Sequence, residues 1–129
     1  MANIITNVIA GVGQITLDRP AALNALNLDM VRAMNKVLTK WREDPAVEAV
    51  AIRGSNRDGP FGAFCAGGDI RFFHTAGIAN DPDLEAFFTE EYRLNHLIFN
   101  YPKPYIAFMD GIVMGGGMGI SQGASLRII

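Results

Sequence analysis

The sequence has few of the residues that most often hold metals or form disulfides. Its 129 residues include one cysteine, Cys65, and two histidines, His74 and His96. A lone cysteine cannot form an internal disulfide or a cysteine zinc cluster, and it fits a reducing compartment. The histidines are isolated, and neither their spacing nor their neighbours indicate a metal site. We therefore expect no bound metal.

The sequence also lacks an excess of one charge and any long hydrophobic run. Lys and Arg total 11 and Asp and Glu total 13, so the net charge is −2 and no basic surface is expected to attract nucleic acid. No apolar run approaches the roughly 18 residues of a membrane span. The N-terminus has no basic segment and is broken by Asn3, Thr6 and Asn7, unlike a signal peptide. These absences predict a cytoplasmic protein without membrane or nucleic-acid partners.

What the sequence does contain is a globular composition with alternating strand and helix patterns. Half of the residues are hydrophobic and 19% are charged, which suits a single packed core. Runs of Ile, Val and Thr predict strands, and apolar residues at helical spacing predict helices. The predicted strands are 3–10, 13–18, 47–52 and 105–109 with another beginning at 126, and the predicted helices are 28–41, a short one from 70, and 83–100. The alternation predicts an α/β fold, largely parallel after the first hairpin.

Polar and glycine residues mark where these elements begin and end. Asn27 and Asp69 are candidate N-caps for the helices that follow them. The segment from Gly77 to Pro82 is expected to break the helical pattern. The chain stops within an apolar run, 126–129, that looks like the start of a strand. We therefore expect the native polypeptide to continue beyond residue 129.

Two segments combine a buried strand, a glycine-rich turn and a helix. One runs from Val47 to the sequence FCAGGDI, and the other from Tyr105 to MGGGMGI. Such turns leave backbone N–H groups pointing outward at a helix start, where negative charge is favoured. If the turns face each other, one donor from each would hold a single carbonyl oxygen as an oxyanion hole, worth about 3–4 kcal/mol per donor. The alternative is that both are tight connections whose glycines serve packing alone.

Other motifs for binding or nucleophilic attack fit poorly. A Walker loop ends in Gly-Lys-Ser/Thr, but no lysine follows Lys103, and GGGMGISQG lacks the G-x-G-x-x-G spacing of dinucleotide-binding loops. Gly119–Gly123 matches the G-x-S-x-G nucleophile elbow, but Ser121 would lie inside a helix and no acid or histidine follows it. We treat that match as a coincidence. We also interpret Cys65 as a core residue, because no histidine has a recognisable place beside it.

Several segments together resemble the crotonase superfamily of acyl-CoA enzymes: ITLDRPAALNALN, AFCAGGDI and GGGMGIS. Within it, the segments GGDIRFFH, FFTEEYRLNHLI and PKPYIAFMDGIVMGGGMGISQG are most similar to the 3-hydroxyisobutyryl-CoA hydrolase branch. The resemblance implies a crotonase-like α/β fold, a spiral of ββα units that is incomplete at the C-terminus. Residues 1–129 would then be the N-terminal part of one acyl-CoA-binding domain.

The resemblance also implies a set of site residues. Coenzyme A thioesters would bind with the thioester oxygen between the backbone N–H groups of Gly68 and Gly116. The predicted substrate-contacting residues, largely through the main chain, are Ala22, Leu23, Ala25, Ala66 and Asp69. No permanently bound cofactor is implied, since coenzyme A enters as part of the substrate. A homo-oligomer of the full-length protein is compatible with the resemblance.

Glu91 is the most informative charged residue. It lies on an otherwise apolar stripe of the predicted helix 83–100. A carboxylate on such a stripe is costly to desolvate unless it is paired or lines a wet pocket. In the hydrolases that the sequence resembles, the glutamate at this place contacts substrate. The alternative is that Glu91 reaches solvent at the helix edge or pairs with an arginine.

Gly119 is a departure from the hydratases of the superfamily, which carry a glutamate at this place and use it to add water across a double bond. Its absence favours hydrolysis of a short-chain 3-hydroxyacyl-CoA thioester, a step of valine catabolism, with a second carboxylate expected beyond residue 129. We expect the 129-residue chain alone to have little activity. An enoyl-CoA hydratase or isomerase, and a non-catalytic acyl-CoA-binding fragment, remain open alternatives.

Overall fold

The computed structural model describes residues 3–55, 63–109, 111–113 and 115–129. The strands of these residues are β1 (Ile4–Ile9), β2 (Val12–Leu17), β3 (Ala49–Gly54), β4 (Ala63–Cys65), β5 (Tyr105–Phe108), β6 (Ile112–Val113) and β7 (Leu126–Ile128). The helices are α1 (Leu28–Glu43), α2 (Ile70–Ala79), α3 (Pro82–Phe99) and α4 (Gly116–Gln122). A short 3-10 helix, Pro20–Ala22, precedes α1. The predicted alternation of strands and helices is confirmed.

The larger sheet has the strand order β1-β2-β3-β5-β7. Strands β1 and β2 pair antiparallel across the turn Ala10-Gly11, whose φ angles of 51° and 80° suit a tight hairpin. The β2–β3, β3–β5 and β5–β7 pairs are all parallel. Parallel pairing after the first hairpin is therefore confirmed, as is the strand predicted to begin at residue 126.

Helix α1 is amphipathic and packs on the larger sheet. The Asn27 side chain caps it by accepting the N–H of Met30, as its position predicted. Its buried face includes Met34 and Trp41. The Trp41 ring approaches Gly13 of β2 so closely that a Cβ on Gly13 would lie 2.6 Å from the ring. Glycine at this position thus permits the close packing of α1 against β2.

Asp69 has two structural roles at the start of α2. Its Oδ1 accepts the N–H groups of Arg71 at 3.0 Å and Phe72 at 3.3 Å, so the predicted N-cap is confirmed. Its Oδ2 accepts a hydrogen bond from the guanidinium of Arg19 at 2.8 Å. Burial alone would raise the pKa of Asp69, but Arg19 and the two helix amides outweigh it and hold that pKa below its ordinary value.

The break predicted between Gly77 and Pro82 separates α2 from α3 but is shorter than the sequence indicated. It runs through Gly77 to Ala79 and ends at Asn80, which has a left-handed φ of 52°. A glycine inside a helix costs only about 1 kcal/mol relative to alanine, which the rest of the helix can offset. Asn80 tolerates the left-handed conformation that terminates helices, and Asp81 then caps α3.

A second, two-stranded sheet was not predicted. The sequence placed a single strand before each glycine turn, whereas the structure inserts the short strands β4 and β6, which pair parallel with each other. The segment 56–62 of the loop predicted between residues 55 and 69 lies outside the described residues. Because parallel strands end at the same edge, the chain leaves β4 and β6 in the same direction. Both glycine turns therefore lie side by side.

We predict opposite effects for alanine at two helical glycines. A Cβ on Gly117 would collide with the carbonyl oxygen of Cys65 and lie 2.9 Å from its Cβ, whereas a Cβ on Gly77 has no other atom within 4 Å. Gly117→Ala should lower the free energy of unfolding by about 1–3 kcal/mol through overpacking. The matched control, Gly77→Ala, should raise it by about 0.5–1 kcal/mol. Urea unfolding measures both changes, and a stabilising Gly117→Ala would contradict the close approach of α4 to β4.

We also predict a pH-dependent effect of Asp69→Asn, which retains an N-capping side chain but removes the charge paired with Arg19. Since the folded-state pKa of Asp69 is lowered, its ion pair stabilises the protein above the unfolded-state pKa of about 3.9 and is lost as pH falls through the folded-state value. The variant should be less stable by about 1 kcal/mol at pH 7.

The difference between this variant and its parent should close as the pH is lowered to 3 and below. Unfolding curves measured across this range test the prediction, with Asp81→Asn as the control at a cap. An equal loss at pH 7 and at the lowest pH would show that the charge of Asp69 is not responsible.

Candidate active site

The two glycine turns meet through Gly68 and Gly116. Gly68 follows β4, and Gly116 is the first residue of α4, shortly after β6. A Cβ on Gly116 would lie 3.5 Å from the backbone nitrogen of Gly68, so the two backbones are nearly in contact. Gly115, with a φ of 48°, reverses the chain into α4. The structure thus brings together the two residues predicted as oxyanion donors.

Neither of these two amides has a hydrogen-bond acceptor among the described residues. The bonds around the first turn come instead from Ala66 and Asp69, and those at the start of α4 come from Met118 and Gly119. Buried or half-buried amides are normally paired, so free N–H groups in adjacent turns are available to an external acceptor. Two neighbouring amides without an acceptor are what the predicted oxyanion hole requires, and their role as donors remains a prediction.

The Gly68 turn is held by the loop that precedes α1. Three backbone hydrogen bonds join them: Ala66 N to Leu23 O at 3.0 Å, Leu26 N to Gly67 O at 2.7 Å, and Asp69 N to Leu26 O at 2.9 Å. The guanidinium of Arg19 bridges the same two segments, because it binds Asp69 and also donates to the carbonyl of Ala25 at 3.0 Å. This ion pair, between residues 50 positions apart, was not predicted.

An aromatic cluster packs behind Gly68. A Cβ on Gly68 would lie 2.8 Å from Cε2 of Phe73, so only glycine lets the ring cover this backbone. Phe73 in turn contacts the buried Phe87 of α3, with ring centroids 5.1 Å apart. The cluster, which also includes Phe72 and Phe88, fixes the turn against α3. No sequence signal had connected these phenylalanines with the glycine turn.

Glu91 lies beside Gly116, as the stripe on α3 suggested. A Cβ on Gly116 would be 2.8 Å from Oε1 of Glu91. Glu91 is half-buried, and desolvation raises the pKa of its carboxyl above the ordinary value. In the described part of the chain its carboxylate has no ion-pair or hydrogen-bond partner; the arginine of α1 that faces this helix, Arg32, binds Glu90 instead. One unpaired carboxyl group therefore stands next to the two free amides.

The other predicted contact residues line a cavity of about 350 Å³ that also borders Gly68. Its walls include Ala22, Leu23, Ala25, Ala66, Gly68 and Asp69. Gly116 of α4 adjoins Gly68, and Glu91 of α3 adjoins Gly116. The predicted residues thus form one continuous region, while both Asp69 oxygens are engaged by Arg19 and the α2 cap. The substrate-binding roles of these residues remain predictions.

The nucleophile candidates that the sequence argued against are buried. Burial raises the pKa of Cys65 to about 12, so its thiol is protonated at neutral pH. Ser121 lies inside α4, where its Oγ donates to the carbonyl of Gly117 at 2.7 Å. Among the residues that the structure describes, no group of three or more His, Cys, Asp and Glu side chains could hold a metal ion.

Asn95 occupies the space next to Gly119. A Cβ on Gly119 would lie 2.6 Å from Nδ2 of Asn95, so a larger residue at position 119 requires Asn95 to move. Asn95 follows Glu91 by one turn of α3 and so lies on the same face. Its Oδ1 is buried and, in the described residues, has no hydrogen-bond partner. Sequence reasoning did not find Asn95, because only the packing of α3 on α4 reveals its place.

The comparisons with known proteins agree on one family. The model of the enoyl-CoA hydratase/isomerase family matches residues 12–129. The curated mitochondrial 3-hydroxyisobutyryl-CoA hydrolase of Xenopus tropicalis is 51% identical over 116 residues, which are 90% of this chain and 29% of that protein. The human protein of the same name is 44% identical over 90% of this chain and 29% of its own length. The chain thus spans about a third of the curated relatives it matches.

Solved structures agree with this result. An enoyl-CoA hydratase from Rhodobacter sphaeroides 2.4.1 superimposes with a TM-score of 0.89 at 42% identity, covering 98% of this chain and 36% of that one. A carnitinyl-CoA dehydratase from Mycobacterium thermoresistibile superimposes with a TM-score of 0.87 at 43% identity, covering 97% of this chain and 36% of that one. The predicted crotonase-like fold is confirmed.

The comparisons correct the prediction of a cytoplasmic location. That prediction came from the lone cysteine and the N-terminal composition, neither of which distinguishes one reducing compartment from another. The hydrolases that match 90–98% of this chain are named as mitochondrial proteins, so the cytoplasmic assignment is wrong. Separately, none of the helices in the described ranges combines the length and the hydrophobicity needed to cross a membrane.

Family membership rests on two independent observations. One model spans residues 12–129, and the backbone follows solved enoyl-CoA hydratases along almost the whole chain. The chain therefore belongs to the enoyl-CoA hydratase/isomerase family and has the crotonase fold.

Proposed function

We propose that the protein hydrolyses the thioester of a short-chain 3-hydroxyacyl-CoA of the 3-hydroxyisobutyryl type, a reaction of valine catabolism. The observation that carries the proposal is the pair of free amides, Gly68 and Gly116, in adjacent turns next to the carboxyl group of Glu91. The names of the curated relatives support the choice of substrate class. The predicted substrate contacts line the cavity that begins at Gly68.

The two amides would act on the thioester carbonyl. Attack at the carbonyl carbon places negative charge on the oxygen, and preorganised N–H donors stabilise that charge more than they stabilise the ground state. Each donor contributes about 3–4 kcal/mol to lowering the barrier. Because Gly68 is held by the loop before α1 and by Phe73, its amide is already oriented before substrate binds.

Glu91 would contact the acyl part of the substrate. Its carboxyl is the titratable group next to Gly116, and its raised pKa reflects partial desolvation without a compensating charge. A carboxylate in this position can accept a hydrogen bond from a hydroxyl group near the carbonyl. A 3-hydroxyacyl group supplies such a hydroxyl, whereas a simple enoyl group does not.

Hydration of a double bond is the second candidate, favoured by the solved enoyl-CoA hydratase that superimposes on this chain. That reaction needs proton delivery and water activation at two carbon atoms, so it requires well-placed acid and base groups. At position 119 the chain has glycine, and the amide of Asn95 fills the adjacent space. An amide cannot exchange a proton as a carboxyl group does. This observation supports hydrolysis over hydration.

We predict that the whole protein distinguishes two substrates. Given 3-hydroxyisobutyryl-CoA, it should release free coenzyme A thiol, which a thiol reagent detects. Given crotonyl-CoA, it should leave the enoyl absorbance nearly unchanged. Hydration needs both an acid and a base group, and position 119 has glycine in place of one of them. Rapid loss of the enoyl absorbance without thiol release would reject hydrolysis in favour of hydration.

We further predict that Gly116→Val lowers kcat by two to three orders of magnitude, as expected for losing one oxyanion donor. Since a Cβ at this position also meets Oε1 of Glu91, Gly116→Val should be compared in the parent and in a Glu91→Gln background. If kcat falls by a similar factor in both backgrounds, the loss of the Gly116 amide donor, and not the contact with Glu91, is the cause. Gly77→Ala serves as a remote glycine control, and activity of Gly116→Val within threefold of the parent would refute the donor role.

A further inference from the structure

Asn95 of α3 and Gly119 of α4 compete for one small space. A Cβ on Gly119 would lie 2.6 Å from Nδ2, 2.9 Å from Oδ1 and 3.0 Å from Cγ of Asn95. Turning the amide about the Cβ–Cγ bond leaves Cγ in place, so that rotation does not make room for the added atom. A side chain at position 119 therefore requires the whole Asn95 side chain to adopt another χ1 rotamer.

This contact lies one helical turn from the amide of Gly116. On α4, Gly119 follows Gly116 by three residues. On α3, Asn95 follows Glu91 by four residues. Residues at these spacings share a face of a helix, so the Asn95 contact and the Glu91 contact lie side by side along the interface between α3 and α4. If Gly116 holds the thioester carbonyl, a group at position 119 lies close to the neighbouring carbon atoms of the acyl chain.

Packing alone does not account for asparagine at position 95. Its Oδ1 is buried and has no hydrogen-bond partner within the described ranges. A buried acceptor without a partner lowers the stability of the folded state, and an apolar side chain of similar shape, such as leucine, would remove that cost. An unpaired polar atom in a native structure calls for an explanation, and residues that lower stability at a site are commonly kept for function.

We infer that Asn95 is a specificity-determining residue that restricts the site to attack on the thioester carbonyl. The inference rests on the proposed function. Hydration adds the oxygen of water to one carbon of a double bond and a proton to the other, so it requires acid and base groups beside the acyl chain. Asn95 occupies the space that such a group at position 119 would need, and its own amide is neutral. Changing Gly119 alone should therefore not change the reaction.

Four forms of the whole protein test the inference: the parent, Gly119→Glu, Asn95→Ala and the double variant. A cavity of about 500 Å³ borders both positions and gives the new carboxyl group room once residue 95 is shortened. The second carboxyl group is the one expected beyond residue 129. With crotonyl-CoA, the double variant should remove the enoyl absorbance at least roughly tenfold faster than either single variant. A Gly119→Glu protein as fast as the double variant, or a double variant no faster than the parent, would overturn the inference.

Unfolding in urea tests the competition for space without requiring turnover. Gly119→Ala should lower the unfolding midpoint of the parent, because the new Cβ meets Asn95. In an Asn95→Ala background it should raise the midpoint, because alanine favours a helix over glycine. The matched control background is Gln122→Ala, which removes an exposed amide from the same cavity and should leave the effect of Gly119→Ala as it is in the parent. Equal effects of Gly119→Ala with and without Asn95 would overturn the inference.

The proposed function and this inference fail in different ways. Rapid loss of enoyl absorbance with the parent would overturn hydrolysis and, with it, the role of Asn95. Thiol release by the parent from 3-hydroxyisobutyryl-CoA, together with variants that contradict the expected rates or midpoints, would overturn the inference alone.

Discussion

The candidate site depends on the parallel pairing of two very short strands, β4 and β6. Their register, Ala63 with Ile112 and Cys65 with Val113, makes the chain leave both strands at one edge and enter two glycine turns side by side. A two-stranded sheet of this length has little stability of its own. The close approach of Gly117 to Cys65 and the hydrogen bonds between Leu26 and the Gly68 turn hold it in place.

Two carboxyl groups near these turns have opposite environments. Asp69 is paired with Arg19 and caps α2, and its pKa is lowered; Glu91 is partly desolvated and unpaired among the described residues, and its pKa is raised. Neighbouring acids whose pKa values are driven apart usually differ in role. Here Asp69 holds the Gly68 turn, whereas Glu91 is free to contact a ligand. Both environments follow from the loop before α1 and from the face that α3 presents to α4.

Local signals in the sequence predicted much of this arrangement. The helical spacing of apolar residues and the caps Asn27 and Asp69 located α1 and α2, and the isolated carboxyl on an apolar stripe identified Glu91. The sequence did not reveal contacts that depend on tertiary packing. Arg19 and Asp69 are 50 residues apart, and β4 and β6 are too short to show a strand pattern. The break predicted between Gly77 and Pro82 is present but shorter, at Asn80 and Asp81, because one glycine is a small cost within a ten-residue helix.

The central claim is that the amides of Gly68 and Gly116 donate to one ligand oxygen. The most direct measurement is the NMR chemical shift of both amide protons in the whole protein, labelled with ¹⁵N-glycine, as a non-hydrolysable analogue of the acyl-CoA thioester is added. The account predicts that both signals move downfield together and saturate at the same analogue concentration, because hydrogen bonds to a shared acceptor form in one event. Saturation of binding with neither signal moved, or with only one of them shifted, would contradict it.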